Sequence, residues 1–262
     1  MPSFERDGLS LHYREKGTGR PLVLLHPFAL EGETFRSQLD ELSKGCRVII
    51  PDLRGFGQSA FTGDISTMAQ MAGDVLHLLD LLKVDKTVVA GVSMGGYVCL
   101  SLVELGAGRV EGVILADTQA TPEDEGGQAA RLDTARAVEA QGVNFLVTHL
   151  LPRLLTEDCD QGIRVDTERM MRSSSPQACA AALRGIASRS DGRGILARFA
   201  GSVLVIVGEN DEVTPRSKAQ QMVDLSSQSE FAQIPRAGHL SYVENPAAFN
   251  EAILTFLRHL KD

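Results

Sequence analysis

The chain has 262 residues, 43% hydrophobic and 23% charged, enough for one large α/β domain or a core domain carrying an insertion. Its formal net charge of −8 argues against a nucleic-acid surface, and no apolar run is long enough to span a bilayer. The opening Met1-Pro2-Ser3-Phe4-Glu5-Arg6-Asp7 lacks the basic start and apolar core of a secretory signal, and Cys46, Cys99, Cys159 and Cys179 have no paired spacing. The expectation is therefore a cytoplasmic protein with reduced thiols, rather than disulfides or a zinc site.

Residues 9–14 read as a strand, with Leu9, Leu11 and Tyr13 alternating against Ser10, His12 and Arg14. The glycines and proline of Gly17-Thr18-Gly19-Arg20-Pro21 break it. Leu22-Val23-Leu24-Leu25 is a continuous apolar run, as expected of a central strand covered on both faces, and it ends at His26-Pro27-Phe28. Phe35, Leu39 and Leu42 then fall at helix spacing. Arg47-Val48-Ile49-Ile50 is the next buried strand, and residues 67–82 carry a helical apolar face of Met68, Met71, Val75, Leu78, Leu79 and Leu82. A strand over 87–90 leads into Gly91-Val92-Ser93-Met94-Gly95-Gly96, a helix follows from Tyr97, and Val113-Ile114-Leu115-Ala116 is another buried strand.

There the alternation stops. Residues 119–198 contain no strand pattern, only helical stretches over 128–141, 143–155, 167–172 and 176–188. The alternation resumes with Ser202-Val203-Leu204-Val205-Ile206-Val207, a helix over 216–225, a last strand over 230–234, and a closing helix bearing Phe249, Ile253, Phe256, Leu257 and Leu260. Strands alternating with helices imply an α/β fold, a mostly parallel central sheet flanked by helices. The expected division is a core of residues 1–118 and 199–262 with a helical cap, or lid, over 119–198. An insertion directly after a strand's C-terminal end suits a lid, because open α/β sheets bind ligands at that edge.

Gly91-Val92-Ser93-Met94-Gly95 fits the pattern G-x-S-x-G between a strand and a helix. A strand turning sharply into a helix strains the corner residue and holds the Ser93 hydroxyl out at the sheet edge. The flanking glycines make room, and the helix N-terminus favours developing negative charge. A serine hydroxyl needs a base and an orienting acid to act as a nucleophile at neutral pH. His239 lies in the loop after the last strand, and Asp211 occupies the matching loop after the preceding one. His12, His77, His149 and His259 sit in strand or helix positions that suit surface or packing roles. Asp117 also ends a strand and is a rival acid. Asp211 is preferred because its loop, as well as the chain order Ser93, Asp211, His239, matches the usual pattern found with a nucleophile elbow.

With Asp52-Leu53-Arg54-Gly55-Phe56-Gly57-Gln58-Ser59, Gly208-Glu209-Asn210-Asp211 and Ala237-Gly238-His239, the serine motif resembles the α/β-hydrolase fold with a small helical cap, as in serine esterases and enol-lactone hydrolases. The resemblance covers essentially the whole chain outside the cap. It implies catalytic Ser93, His239 and Asp211, an oxyanion hole from the backbone N–H groups of Phe28 and Met94, and the Phe28 ring lining the substrate pocket. Where the family usually has His-Gly, this chain has His26-Pro27; proline cannot donate, but the implied donor is the next residue. Asp52 and Arg54 are expected to tie a loop beside the site. The resemblance implies hydrolysis of a small-molecule carboxylic ester or lactone with no metal and no organic cofactor; the charge and the lack of a long apolar run add the expectation of no nucleic-acid and no membrane partner, and a homo-oligomer stays open. A C–C bond hydrolase, a lyase or synthase, or a non-catalytic ligand receptor can share the same motifs.

Overall fold

The structure, a computed structural model, describes residues 2–106 and 108–260. Eight strands form one sheet: β1 (Ser3–Arg6), β2 (Leu9–Lys16), β3 (Arg20–Leu25), β4 (Cys46–Pro51), β5 (Thr87–Val92), β6 (Val110–Ala116), β7 (Ser202–Gly208) and β8 (Ser229–Ile234). Their spatial order is β1-β2-β4-β3-β5-β6-β7-β8. The β1–β2 and β2–β4 pairs are antiparallel, and every other pair is parallel. Every residue of β5 is buried, as helices on both faces require. β1 was not apparent in the sequence, because a four-residue edge strand of alternating exposure carries too little apolar signal.

The helices of the sheet layers are α1 (Arg36–Leu42), α2 (Met68–Leu81) and α3 (Met94–Leu105). Thr67 starts α2 with a capping box: its hydroxyl accepts from the Gln70 N–H while Gln70 Oε1 accepts from the Thr67 N–H. Between β6 and β7 come α4 (Glu125–Gln141), α5 (Asn144–His149), α6 (Leu151–Leu154), α7 (Gln161–Ser173), α8 (Pro176–Ala187) and α9 (Arg193–Arg198). After β7 follow α10 (Arg216–Leu225), then α11 (Ser241–Glu244) and α12 (Pro246–His259).

The single helix expected over 143–155 is two. Pro152 lacks an N–H and its ring conflicts with a preceding carbonyl, so the chain restarts at α6 with proline in the first turn. The stretch expected over 167–172 is longer, because the Asp160 side chain caps it six residues earlier by accepting from the N–H groups of Gly162 and Ile163. α9 and α11 are too short to carry a readable period.

Candidate active site

Strand β5 delivers Ser93 to the sheet edge at φ 52° and ψ −113°, a conformation uncommon for a residue with a side chain. Backbone bonds hold this corner. Ser93 N–H donates to Ala116 O (2.9 Å), while its carbonyl accepts from Gly96 N–H (2.9 Å) and Thr118 Oγ1 (2.8 Å). A Cβ on Gly95 would collide with the Leu25 carbonyl, and one on Gly91 would collide with Gly95. Only glycine lets α3 start so close to β3 and β5.

His239, in the loop after β8, places Nε2 2.9 Å from Ser93 Oγ. Its Nδ1 lies 2.9 Å from Asp211 Oδ2 and 3.1 Å from Oδ1. The tautomer this network requires carries the proton on Nδ1, donated to the carboxylate, and leaves Nε2 as acceptor for the serine hydroxyl. His239 and Asp211 are both buried. Asp211 is itself held: Oδ1 accepts from the N–H groups of Val213 (2.8 Å) and Thr214 (2.9 Å), and Oδ2 accepts from Thr214 Oγ1 (2.7 Å). Burial pushes the Asp211 carboxyl up, but the hydrogen bond and charge of His239 and the Thr214 donors outweigh it and hold the group below the usual carboxylate range.

The loop after β3 brings Phe28 to the same place. His26 organises it: Nδ1 donates to Pro27 O (2.9 Å) and Nε2 accepts from Leu53 N–H (3.0 Å). Burial lowers the His26 pKa and keeps the ring neutral, as this pair of bonds requires. The Phe28 ring packs edge-on against Phe56, with centroids 6.1 Å apart. Among the described residues, neither the Phe28 nor the Met94 N–H donates to a protein acceptor.

Ser93, His239, Phe28 and Met94 line one cavity of about 50 Å³, together with Pro27, Tyr97, Gln119, Arg131, Leu150, Leu154, Ile186, Val213 and Thr214. Larger surface depressions of about 360 and 470 Å³ lie elsewhere and touch none of these groups. Arg131 of α4, Leu150 between α5 and α6, Leu154 of α6 and Ile186 of α8 all lie between β6 and β7, so that segment walls the cavity. That segment is also bonded to the histidine loop: Leu240 N–H donates to Leu154 O (3.1 Å), and Glu244 accepts from the N–H and hydroxyl of Thr156 and from the N–H of Gly238.

The structure therefore brings together every site residue expected from the sequence: Ser93, Asp211, His239, Phe28 and Met94. The rival Asp117 is buried nearby but makes no hydrogen bond to His239; it accepts from Gly208 N–H and from Ser241. Asp52 accepts from Gly32 N–H, Gln58 N–H and Arg14, and Arg54 makes a two-pronged bond to Asp74, so both tie loops down away from the cavity. Sequence reasoning missed Thr214, although an acid followed two and three residues later by N–H donors is a readable side-chain turn. It also missed Tyr97 of α3, Gln119 in the loop after β6, and Arg131, which the packing of α4 brings to the cavity.

A mostly parallel sheet with a strained serine at the end of its central strand, and the acid and histidine loops at the ends of later strands, is the architecture of an α/β hydrolase. The family model described as the alpha/beta hydrolase fold matches residues 20–246, and the chain belongs to that family. It is 30% identical over 243 residues to 3-oxoadipate enol-lactonase 1 of Acinetobacter baylyi, covering 92% of this chain and 89% of that protein. It superimposes on a thermophilic esterase from Thermogutta terrifontis with a TM-score of 0.95 at 34% identity, covering 99% and 97% of the two chains. On the enol-lactonase from Burkholderia xenovorans LB400 the TM-score is 0.91 at 26% identity, with 98% and 100% covered.

Proposed function

We propose that the protein is a serine hydrolase that cleaves a small carboxylic ester or lactone through an acyl-enzyme. The observation that carries this reading is the unbroken chain of hydrogen bonds from Asp211 through His239 to Ser93 Oγ, ending in a partly open cavity. In this reading Ser93 Oγ attacks the carbonyl carbon and His239 Nε2 takes its proton. The uncommitted N–H groups of Phe28 and Met94 meet the tetrahedral oxyanion, where each such donor is worth a few kcal/mol. His239 passes the proton to the leaving alkoxide, which departs as the alcohol, or stays tethered when the substrate is a lactone. The same imidazole then deprotonates a water that attacks the acyl-enzyme, releasing the acid and restoring the Ser93 hydroxyl. Asp211 keeps Nδ1–H oriented and stabilises the imidazolium in both halves. The enol-lactonase and esterase names among the relatives support the ester or lactone bond as the target. A cavity of about 50 Å³ holds roughly three or four waters; that volume suits a short acyl group.

The test is hydrolysis of 4-nitrophenyl acetate and butyrate and a panel of simple lactones. Turnover by the wild type and its loss in Ser93→Ala supports the reading. Absence of turnover on every ester and lactone, or turnover surviving in Ser93→Ala, overturns it.

A further inference from the structure

The serine's cavity has a neighbour along α3. A second void of about 20 Å³, room for about one water, shares Tyr97 and Gln119 with it. Glu104 and Ile195 line this second void and also the surface depression of about 360 Å³. Tyr97, Leu100, Ser101 and Glu104 fall at i, i+3, i+4 and i+7, so a single face of α3 borders all three spaces. Burial falls along that face: Tyr97 is buried, Ser101 half-buried and Glu104 exposed. The spaces therefore form a row leading from the serine's cavity to solvent, and the level of Tyr97 is roughly 10 Å from that of Glu104 along the helix. The row is interrupted where the first two spaces meet, at Tyr97 and Gln119.

Tyr97 is held at that point. The Arg189 guanidinium lies 4.2 Å from its ring centroid, in cation–π range. Arg189 is in turn fixed by donating to Thr121 O and Ile186 O and by pairing with Glu123 Oε1 at 3.1 Å. Its side chain is only 4% exposed, and a charge so buried loses heavily if it leaves its partners. The ring beneath it is thus a fixed partition.

We propose that Tyr97, positioned by Arg189, limits the chain length of the substrate by closing a passage along α3 that would otherwise take an unbranched alkyl chain. This rests on the ester-hydrolase reading above and adds a length limit to it. Met68, Leu100, Ala120 and Ile195 are buried and give the passage apolar walls. Ser101 and Glu104 lie toward the mouth, where the end of a chain would meet water.

The probes are 4-nitrophenyl esters from acetate to octanoate and alkyl acetates from methyl to octyl, which put the growing chain on the acyl or the alcohol side. In the wild type, kcat/KM should fall by about tenfold or more from butyrate to octanoate and from butyl to octyl. In at least one series Tyr97→Ala should abolish that fall, each added methylene then gaining up to about threefold. Tyr97→Phe keeps the ring and should keep the fall. Arg189→Met should relax it in part and Arg189→Lys should restore it, whereas a general loss of stability would lower all chain lengths alike. The double variant Tyr97→Ala/Ser101→Phe should be selective for short chains again, because the added ring fills the void behind the opening. A wild type that takes octanoate as readily as butyrate, or a fall that Tyr97→Ala leaves in place in both series, overturns the inference. Should Tyr97→Ala fail to fold, Tyr97→Leu makes the same comparison. If the wild type turns over no ester, the hydrolase reading is what fails, and calorimetry with octanoate decides the passage separately. Binding to Tyr97→Ala about tenfold or more tighter than to the wild type supports it; equal affinity, or no binding by the variant up to about 10 mM, overturns it.

Discussion

Asp117 and Ser241, 124 positions apart, are joined side chain to side chain, with Ser241 Oγ donating to Asp117 Oδ2 at 2.5 Å. Asp117 Oδ1 accepts from Gly208 N–H at 2.8 Å, and Ser241 N–H adds a longer bond to Oδ2 at 3.3 Å. One buried carboxylate therefore clamps the end of β7, which leads to Asp211, to the turn that follows His239. Asp117 adopts φ 46° to do so, a strain that the three bonds offset. Asp117→Ala would leave those donors buried without acceptors, at about 1–3 kcal/mol each before relaxation. The expected loss is about 3 kcal/mol or more, read from urea denaturation midpoints. Asp117→Asn, which keeps the volume and one acceptor, should lose less.

The same carboxylate gives the fold a pH dependence. Burial, with the Asp211 charge adding to it, pushes Asp117 up to about 7, against the opposing pull of His239, Ser241 and Gly208 N–H. A carboxyl whose folded pKa exceeds its unfolded value of 3.8 contributes stability that is fully present below that value and is lost as pH rises through about 7. Asp211 has the opposite sign: its folded pKa is depressed, so its contribution is present above the unfolded pKa and is lost as pH falls below it. Between about pH 5 and pH 8 the Asp117 effect should dominate. The stability advantage of the wild type over Asp117→Asn should shrink across that range, as measured by parallel urea titrations. An advantage that stays flat across that range would show that Asp117 is ionised throughout.

Asp211→Asn should preserve the fold and lower kcat by about 10⁴-fold with little change in KM, because an amide cannot hold His239 in the Nδ1–H tautomer; that size is the one known for the corresponding change in a serine protease. Thr214→Val removes the hydroxyl bonded to Asp211 Oδ2 and one of the three hydrogen bonds that fix the carboxylate. A smaller fall, about tenfold in kcat, is expected there. Steady-state kinetics on one activated ester checks both.

Two glycines make a contrasting pair. A methyl group on Gly95 meets the Leu25 backbone carbonyl, which cannot rotate away, so Gly95→Ala must push α3 off β3. A loss of about 3 kcal/mol or failure to fold solubly is expected. Gly126, in the first turn of α4, has only the Asp124 side chain within 4 Å, at 3.6 Å. Gly126→Ala should be neutral or stabilise by up to about 1 kcal/mol. Thermal melts of the two variants separate the effect of close approach from that of helix propensity.

The core strands were legible because Leu22–Leu25, Val48–Ile50, Val113–Ala116 and Val203–Val207 are unbroken apolar runs, and a strand covered on both faces needs such a run. The meeting of Ser93, Asp211 and His239 was legible because each sits in a loop at a strand's end, where a parallel sheet converges its loops. What stayed hidden depends on contacts between distant segments. Nothing local to Ser241 or Gly208 points to Asp117. The bonds from Glu244 to Thr156 and Gly238 arise only once the inserted helices dock beside the histidine loop. Arg131 reads in the sequence as one more charged residue on a polar helix; only the fold turns it toward the serine's cavity.

The central claim, that Ser93 is a nucleophile activated by His239, is tested most directly by covalent trapping. The protein is treated with a fluorophosphonate and the modified peptide is identified by mass spectrometry. One adduct on Ser93, formed in step with loss of esterase activity and strongly slowed in His239→Ala, is the expected result. No adduct, or an adduct on another residue while hydrolysis is lost at the same rate, would contradict it.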